Sequence, residues 1–145
     1  MIRSALLVSA LCLLVACGEE LTVEQQIIRT INTMEALAEA GERGDFMDLV
    51  AGEFDGQLGR MTKEEFNRFM VMQWNENSKL HAQLGAITVR ELGPGLATAE
   101  FPGLITGGRG LLPERGQLFE FTTRWILQDD QWLLVSASWD PVVIY

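Results

Sequence analysis

Apolar residues recur every three or four positions after residue 22, which predicts an amphipathic helix. The apolar face consists of four residues: Ile27, Ile31, Met34 and Ala38. Thr22, followed by Gln25 three positions later, matches a capping box, so the helix is predicted to start at Thr22. Gly41 and Gly44 are predicted to end it, because glycine terminates helices efficiently.

Two further helices are predicted before residue 76. Asp45 is expected to cap a short helix that carries three apolar residues: Phe46, Leu49 and Val50. Glycines at positions 52, 56 and 59 then predict an irregular connection. Thr62 and Glu65 repeat the capping box and open a third helix over residues 63–75. Its apolar face consists of Phe66, Phe69, Met70 and Trp74.

From residue 80 the apolar period changes from about 3.6 to about 2, which predicts strands. Four segments carry this alternation: Leu80–Glu91, Leu96–Thr106, Gln117–Gln128 and Gln131–Trp139. The sequences Gly93-Pro94-Gly95 and Asp129-Asp130 are typical of tight turns, and residues 107–116 are predicted to form a loop. One face of the third strand should meet the helices: Phe119, Phe121, Thr123, Trp125 and Leu127.

Helices that precede strands along the chain indicate an α+β domain, in which helices cover one face of a sheet. The sequence therefore predicts three N-terminal helices packed on a curved, antiparallel, four-stranded sheet. A chain of 145 residues favours one domain. The predicted domain spans residues 22–141, and residues 142–145 form a short C-terminal tail.

Residues 1–16 have the pattern of a secretion signal. Arg3 supplies a positive charge, and an apolar run over residues 5–15 follows. This run is too short to cross a bilayer, which takes about 20 residues in a helix. A buried core element is the alternative interpretation, but the run has no amphipathic pattern.

The segment Leu14-Val15-Ala16-Cys17 resembles the lipobox of bacterial lipoproteins. The resemblance implies attachment of a diacylglyceryl group to the Cys17 sulfur, cleavage between Ala16 and Cys17, and acylation, for example by palmitate, of the new amino group. Cleavage near Ala16 by an ordinary signal peptidase is the alternative. In proteobacterial lipoproteins an aspartate after the cysteine is associated with inner-membrane retention. Gly18 stands there, so the outer membrane facing the periplasm is expected, with residues 17–21 as a short tether.

The charge and the cysteine count exclude several classes of function. The net charge is −9, which opposes binding to nucleic acid phosphates. The two cysteines, Cys12 and Cys17, both lie in or next to the predicted signal, so the domain has no disulfide framework and no cysteine-based zinc site. His81 is the single histidine, so a histidine-based metal cluster is excluded as well. No metal and no cofactor is expected.

The order of elements is similar to that of the nuclear transport factor 2 superfamily, whose domains are cone-shaped α+β folds. The resemblance covers residues 21–141 and rests on two stretches: Ala40-Gly41-Glu42-Arg43-Gly44-Asp45, and the strand pair from Phe121 to Trp139 with its turn Asp129-Asp130. Enzymes of this superfamily often carry a histidine or aspartate before the aromatic residue near the end of the last strand. This chain has Ser138 before Trp139, which argues against that type of catalysis.

Two kinds of candidate site follow from these elements. A ligand pocket inside the cone is predicted to involve four residues: Phe121, Trp125, Trp139 and His81. Core packing of the aromatic residues, and a strand-end position for His81, are the alternatives. Two exposed sets are candidate interfaces: Glu120 and Arg124 on the opposite face of the sheet, where the superfamily often forms dimers, and Leu111 and Leu112 in the loop. The alternatives are ordinary surface charges and a loop that folds back.

The sequence thus favours a non-catalytic binding module, tethered to the membrane of the cell envelope through Cys17. Its partner would be a small apolar ligand, an envelope protein or a second copy of the chain. The alternative is an isomerase, dehydratase or hydrolase of the same superfamily. No catalytic residue is assigned, since no pair of titratable groups falls at a spacing that places it in an apolar pocket.

Overall fold

The computed structural model describes residues 18–108 and 115–143. The three helices are α1 (Val23–Ala40), α2 (Arg43–Asp48) and α3 (Lys63–Glu76). The strands are β1 (Val50–Gly56), β2 (Met61–Thr62), β3 (His81–Leu84), β4 (Thr88–Gly93), β5 (Leu96–Gly107), β6 (Arg115–Gln128) and β7 (Gln131–Pro141). The signal sequence with its cleavage residues Ala16 and Cys17, and the loop residues Leu111 and Leu112, lie outside the described residues.

Both predicted capping boxes are confirmed. At the start of α1, the Gln25 N–H donates to Thr22 Oγ1 at 3.2 Å, and the Thr22 N–H donates to Gln25 Oε1 at 2.9 Å. At the start of α3, the Thr62 N–H donates to Glu65 Oε2 at 2.7 Å, and this bond lowers the pKa of the Glu65 carboxyl. Gly41 ends α1 in the left-handed conformation, φ 69°, as predicted.

The short helix differs from the prediction. Asp45 lies inside α2 and does not cap it, and the N-cap residue is Glu42, whose side chain makes no capping hydrogen bond. Val50 belongs to β1, where it is 2% exposed and pairs with Leu134 of β7. The helical prediction for Val50 is therefore wrong, and so is the predicted irregular connection over residues 51–56. Pairing with a strand 80 residues away overrides the local glycine signal, because it buries Val50 and satisfies its backbone.

The α+β prediction is confirmed, but the four-stranded, antiparallel sheet is not: over residues 18–108 and 115–143 the sheet has seven strands and is mixed. Its order is β2-β1-β7-β6-β5-β3, and β4 also pairs with β5. The strand β1 runs parallel to β7, whereas the other pairs are antiparallel. The predicted strand 80–91 is two strands, β3 and β4, which pair with β5 on either side of Pro102, a residue with no N–H for the ladder. Gly85 lies against Pro102, where a Cβ atom would be 2.6 Å from the proline ring.

The hydrophobic core lies between the helices and the concave face of the sheet. Ile27 and Ile31 of α1 are buried against it, as is Trp125 of β6. Leu127 was predicted to share this face but is 41% exposed. It lies at the end of β6, next to the Asp129-Asp130 turn, and its N–H donates to the Gly95 carbonyl in the neighbouring turn.

Candidate functional site

A cavity of about 250 Å³ lies between the helices and the concave face of the sheet. On the helix side its wall contains mainly apolar side chains: Ile31, Met34, Ala38, Phe66, Phe69 and Met70. On the sheet side it includes five aromatic residues: Phe101, Phe119, Phe121, Trp125 and Trp139. The site is a partly open apolar chamber between the helices and the sheet.

The strand β6 contributes the largest part of the sheet wall. Phe119, Phe121, Thr123 and Trp125 alternate along it and all line the cavity, so the predicted inward face is confirmed for these four residues. Phe121 stacks on Phe101 of the neighbouring strand, with ring centroids 5.2 Å apart. Aromatic and β-branched residues suit such a strand, because they pack well across a pleated face.

The polar atoms within this wall are already hydrogen-bonded. The Trp125 indole N–H donates to Thr123 Oγ1 at 2.8 Å, and the Thr123 hydroxyl donates to the Ala99 carbonyl at 2.7 Å. The Thr123 proton is therefore committed to the protein. Since a buried hydroxyl without a partner is costly, this arrangement keeps the wall apolar toward a ligand.

Trp139 is held in the wall by a residue that the sequence did not point to. The backbone N–H of Trp139 donates to Gln57 Oε1 at 3.1 Å, and Gln57 Nε2 donates to the Trp139 backbone carbonyl at 3.3 Å. The Trp139 ring packs on Phe69, with centroids 5.5 Å apart. Gln57 lies in the turn after β1 and is 82 positions from Trp139, so no local pattern could reveal this pairing.

Two carboxylates border the cavity beside the edge strand β3, and we call this part of the cavity its acidic end. Glu35 and Glu39, one turn apart on α1, both line it. Glu39 Oε1 accepts a hydrogen bond from His81 Nδ1 at 2.8 Å and another from the Ala82 N–H at 3.0 Å. Partial burial raises the pKa of Glu35, and the Glu39 charge raises it further, whereas His81 opposes both effects. Neither glutamate is among the site residues predicted from the sequence.

The structure brings together three of the four predicted pocket residues. Phe121, Trp125 and Trp139 line the cavity, but His81 does not. The His81 side chain is 63% exposed at the start of β3 and reaches the cavity wall only through its bond to Glu39. The strand-end alternative is therefore the better description of His81. Its neighbour Ala82 takes the place in the wall, because successive residues of a strand face opposite sides.

Of the four predicted interface residues, the structure describes Glu120 and Arg124. Glu120 and Arg124 are exposed on the face of β6 opposite the cavity, as their parity indicated. A contact role for them stays a prediction.

Within residues 18–108 and 115–143, no group of three histidine, cysteine, aspartate or glutamate residues could hold a metal ion. None of the helices in these ranges has the length and apolar character needed to cross a membrane.

No family model matches the chain, and no curated protein matches it. Several solved structures, however, are similar to the chain in fold. A provisional scytalone dehydratase of Novosphingobium aromaticivorans aligns with a TM-score of 0.73 and 9% identity, over 83% of this chain and 84% of that one. A provisional dehydratase of the nuclear transport factor 2-like family from Streptomyces avermitilis aligns with a TM-score of 0.72 and 16% identity, over 83% and 97%.

A nuclear transport factor 2-like protein of unknown function from Pseudomonas putida aligns with a TM-score of 0.69 and 16% identity, over 81% of this chain and 84% of that one. A Caulobacter vibrioides protein that aligns with a TM-score of 0.69 and 10% identity, over 83% and 89%, is described as cystatin-like. Identities this low establish the fold and not the activity. The domain therefore has the nuclear transport factor 2-like, cystatin-like fold.

Proposed function

We propose that this chain is a lipid-anchored protein of the cell envelope whose domain binds a small apolar ligand and does not transform it. The observation that carries the ligand is the apolar cavity of about 250 Å³. A dry apolar cavity of about 150 Å³ accepts benzene, so this one is large enough for a ligand with one ring. Burying the ligand's apolar surface provides the driving force for binding, at about 25 cal/mol per Å².

The chemistry of the cavity favours binding over catalysis. General acid–base catalysis requires a titratable group within hydrogen-bond reach of the reacting atom. The aromatic wall contains no such group, since the hydroxyl of Thr123 is committed to Ala99. The carboxylates stand only at the end of the cavity, on α1.

The proposed anchor and the acidic end of the cavity are separated along α1. The tether would join the helix near Val23. With a rise of about 1.5 Å per residue, Glu35 lies about 18 Å and Glu39 about 24 Å further along the axis. A lipidated Cys17 would hold the domain at the outer membrane, in our proposal on its periplasmic face, with this end of the cavity away from the tether. A partner protein or second copy would use the convex face that carries Glu120 and Arg124.

Filling the cavity at Ala82 should abolish binding of toluene, which serves as the probe. Ala82 is half-buried and lines the wall, so a phenylalanine there would project into the chamber. Toluene should raise the melting temperature of the native protein, because a ligand that binds only the folded state stabilises it. The increase should vanish in Ala82→Phe.

The matched control is Gln83→Phe, because Gln83 is the next residue of β3 and is exposed. This variant should respond to toluene like the native protein. Both variants must first show melting temperatures close to the native value without ligand. If toluene does not raise the melting temperature of the native protein, the cavity does not bind it. If toluene still stabilises Ala82→Phe, it binds at another site.

A second candidate function is a dehydratase- or isomerase-type enzyme. It is favoured by the hydrogen bond between His81 and Glu39 beside the cavity, since a carboxylate that orients an imidazole is a common acid–base arrangement. Two of the structural neighbours are provisionally named as dehydratases. The binding protein and the enzyme can be distinguished by measuring whether the chain accelerates exchange of the α-protons of cyclohexanone in D₂O.

The binding proposal expects no acceleration of this exchange by the native protein. The enzyme candidate expects an acceleration of about 100-fold or more, which is lost in His81→Ala. The variant should remain folded, because an exposed ion pair contributes only about 0–1 kcal/mol to stability. Acceleration that persists without His81 would instead assign the base to another group, such as Glu35.

A further inference from the structure

We propose that the ligand is an apolar amine, with a body of about one ring in the cavity and a single ammonium group paired with Glu35. This inference rests on the proposed ligand-binding function and names the ligand class.

The charged groups in the wall are all negative. Glu35 and Glu39 line the cavity, and no lysine or arginine does so in the part of the chain that the structure describes. An anionic ligand would meet like charge at this end of the chamber. A cationic ligand would be attracted there, and the net charge of −9 would also raise its local concentration.

The two carboxylates differ in what they already bind. Glu39 accepts hydrogen bonds from His81 and from the Ala82 N–H, so its carboxylate already has two donors within the protein. Glu35 is half-buried, and none of the described residues donates a hydrogen bond or ion pair to it. Desolvation and the nearby Glu39 charge raise the pKa of Glu35, and His81, which bonds to Glu39, offsets this only in part. An ammonium group would supply the missing partner.

The position of Glu35 sets the shape of the ligand. It follows Met34 directly and lies one turn before Glu39, and all three residues line the same chamber. An ammonium group at Glu35 therefore leaves the rest of the molecule against apolar side chains such as Met34 and Phe69. A ligand with its charge at one end fits this division, because the aromatic side chains of the wall offer no partner for a second charge.

Three probes of nearly equal size test the inference: benzylamine, benzyl alcohol and benzoate. Calorimetric titration of the native protein at pH 7 should show benzylamine binding about tenfold more tightly than benzyl alcohol, with benzoate the weakest. In Glu35→Gln the preference for the amine should fall to about twofold or less, while the affinity for benzyl alcohol stays unchanged. This variant removes the charge and keeps the shape of the side chain.

The matched control is Glu24→Gln, which removes the same charge from the first turn of α1. Glu24 lies about 16 Å along the axis from Glu35, beyond the screening length of about 8 Å at physiological salt, so the preference should persist. Ala82→Phe should abolish benzylamine binding. Benzylamine that still binds this variant would be held by the acidic surface, which would overturn the inference.

The remaining outcomes separate this inference from the proposed function. Equal affinities for benzylamine and benzyl alcohol, or a preference that survives in Glu35→Gln, would overturn the amine assignment and leave the apolar binding site intact. If none of the three probes binds the native protein, the proposed ligand-binding function fails together with the inference.

Discussion

Replacing Trp125 by alanine is expected to lower the free energy of unfolding by about 3–5 kcal/mol. Trp125 is 1% exposed and is one of the largest fully buried side chains among the described residues. Its removal withdraws a large apolar surface from the core and enlarges the cavity that it lines, and the surrounding wall can relax only in part. The variant also loses the indole hydrogen bond to Thr123, although Thr123 keeps its bond to Ala99.

Urea unfolding, followed by far-UV circular dichroism, measures this loss directly. Leu127→Ala is the matched control, because Leu127 lies two residues further along β6 and is 41% exposed. Its cost should stay below about 1 kcal/mol, as is usual for exposed positions. A Trp125→Ala variant that loses no more than this control would show that the indole does not belong to the packed wall.

Replacing Cys17 by alanine is expected to abolish incorporation of labelled fatty acid completely. The proposed diacylglyceryl group is attached through the Cys17 sulfur, and alanine offers no atom to replace it. Membrane retention should be lost with the label, because each buried methylene contributes about 0.8 kcal/mol and stable anchoring takes two or more chains. Fractionation of cells fed with labelled palmitate measures both effects.

Cys12 supplies the control within the same segment. It lies inside the apolar run of the predicted signal, five positions before Cys17, and the resemblance assigns it no modification. Cys12→Ala should therefore keep both the label and the membrane association. Labelling that persists in Cys17→Ala would defeat the lipoprotein proposal. Recovery of the native protein in soluble form, with an unmodified amino terminus at another residue, would do the same.

The features predicted correctly depend on neighbours within a few positions of each other. The capping boxes at Thr22 and Thr62 form between residues three positions apart. The inward face of β6 follows from the alternation of side chains along one strand, which places Phe121 and Trp125 on the same side. Neither prediction requires knowledge of what packs against the element.

The features that were missed depend on distant partners. The strand β1 was taken for an irregular connection, because its glycines are local breakers and its partner β7 lies about 80 positions later. The break between β3 and β4 falls opposite Pro102 of β5, which lacks the N–H that a continuous ladder would need. Gln57 was overlooked for the same reason, since its partner Trp139 is distant in the chain.

The sequence by itself determined which residues are apolar and at what period they recur, and hence the main helices, the inward face of β6 and the α+β class. Only the tertiary structure decided that Glu35 and Glu39 border a cavity while His81 stands outside it. The reason is geometric. Periodicity reports the direction of a side chain around its own element, whereas a cavity is the space left between α1, α3 and the sheet, and its edges depend on how those elements pack.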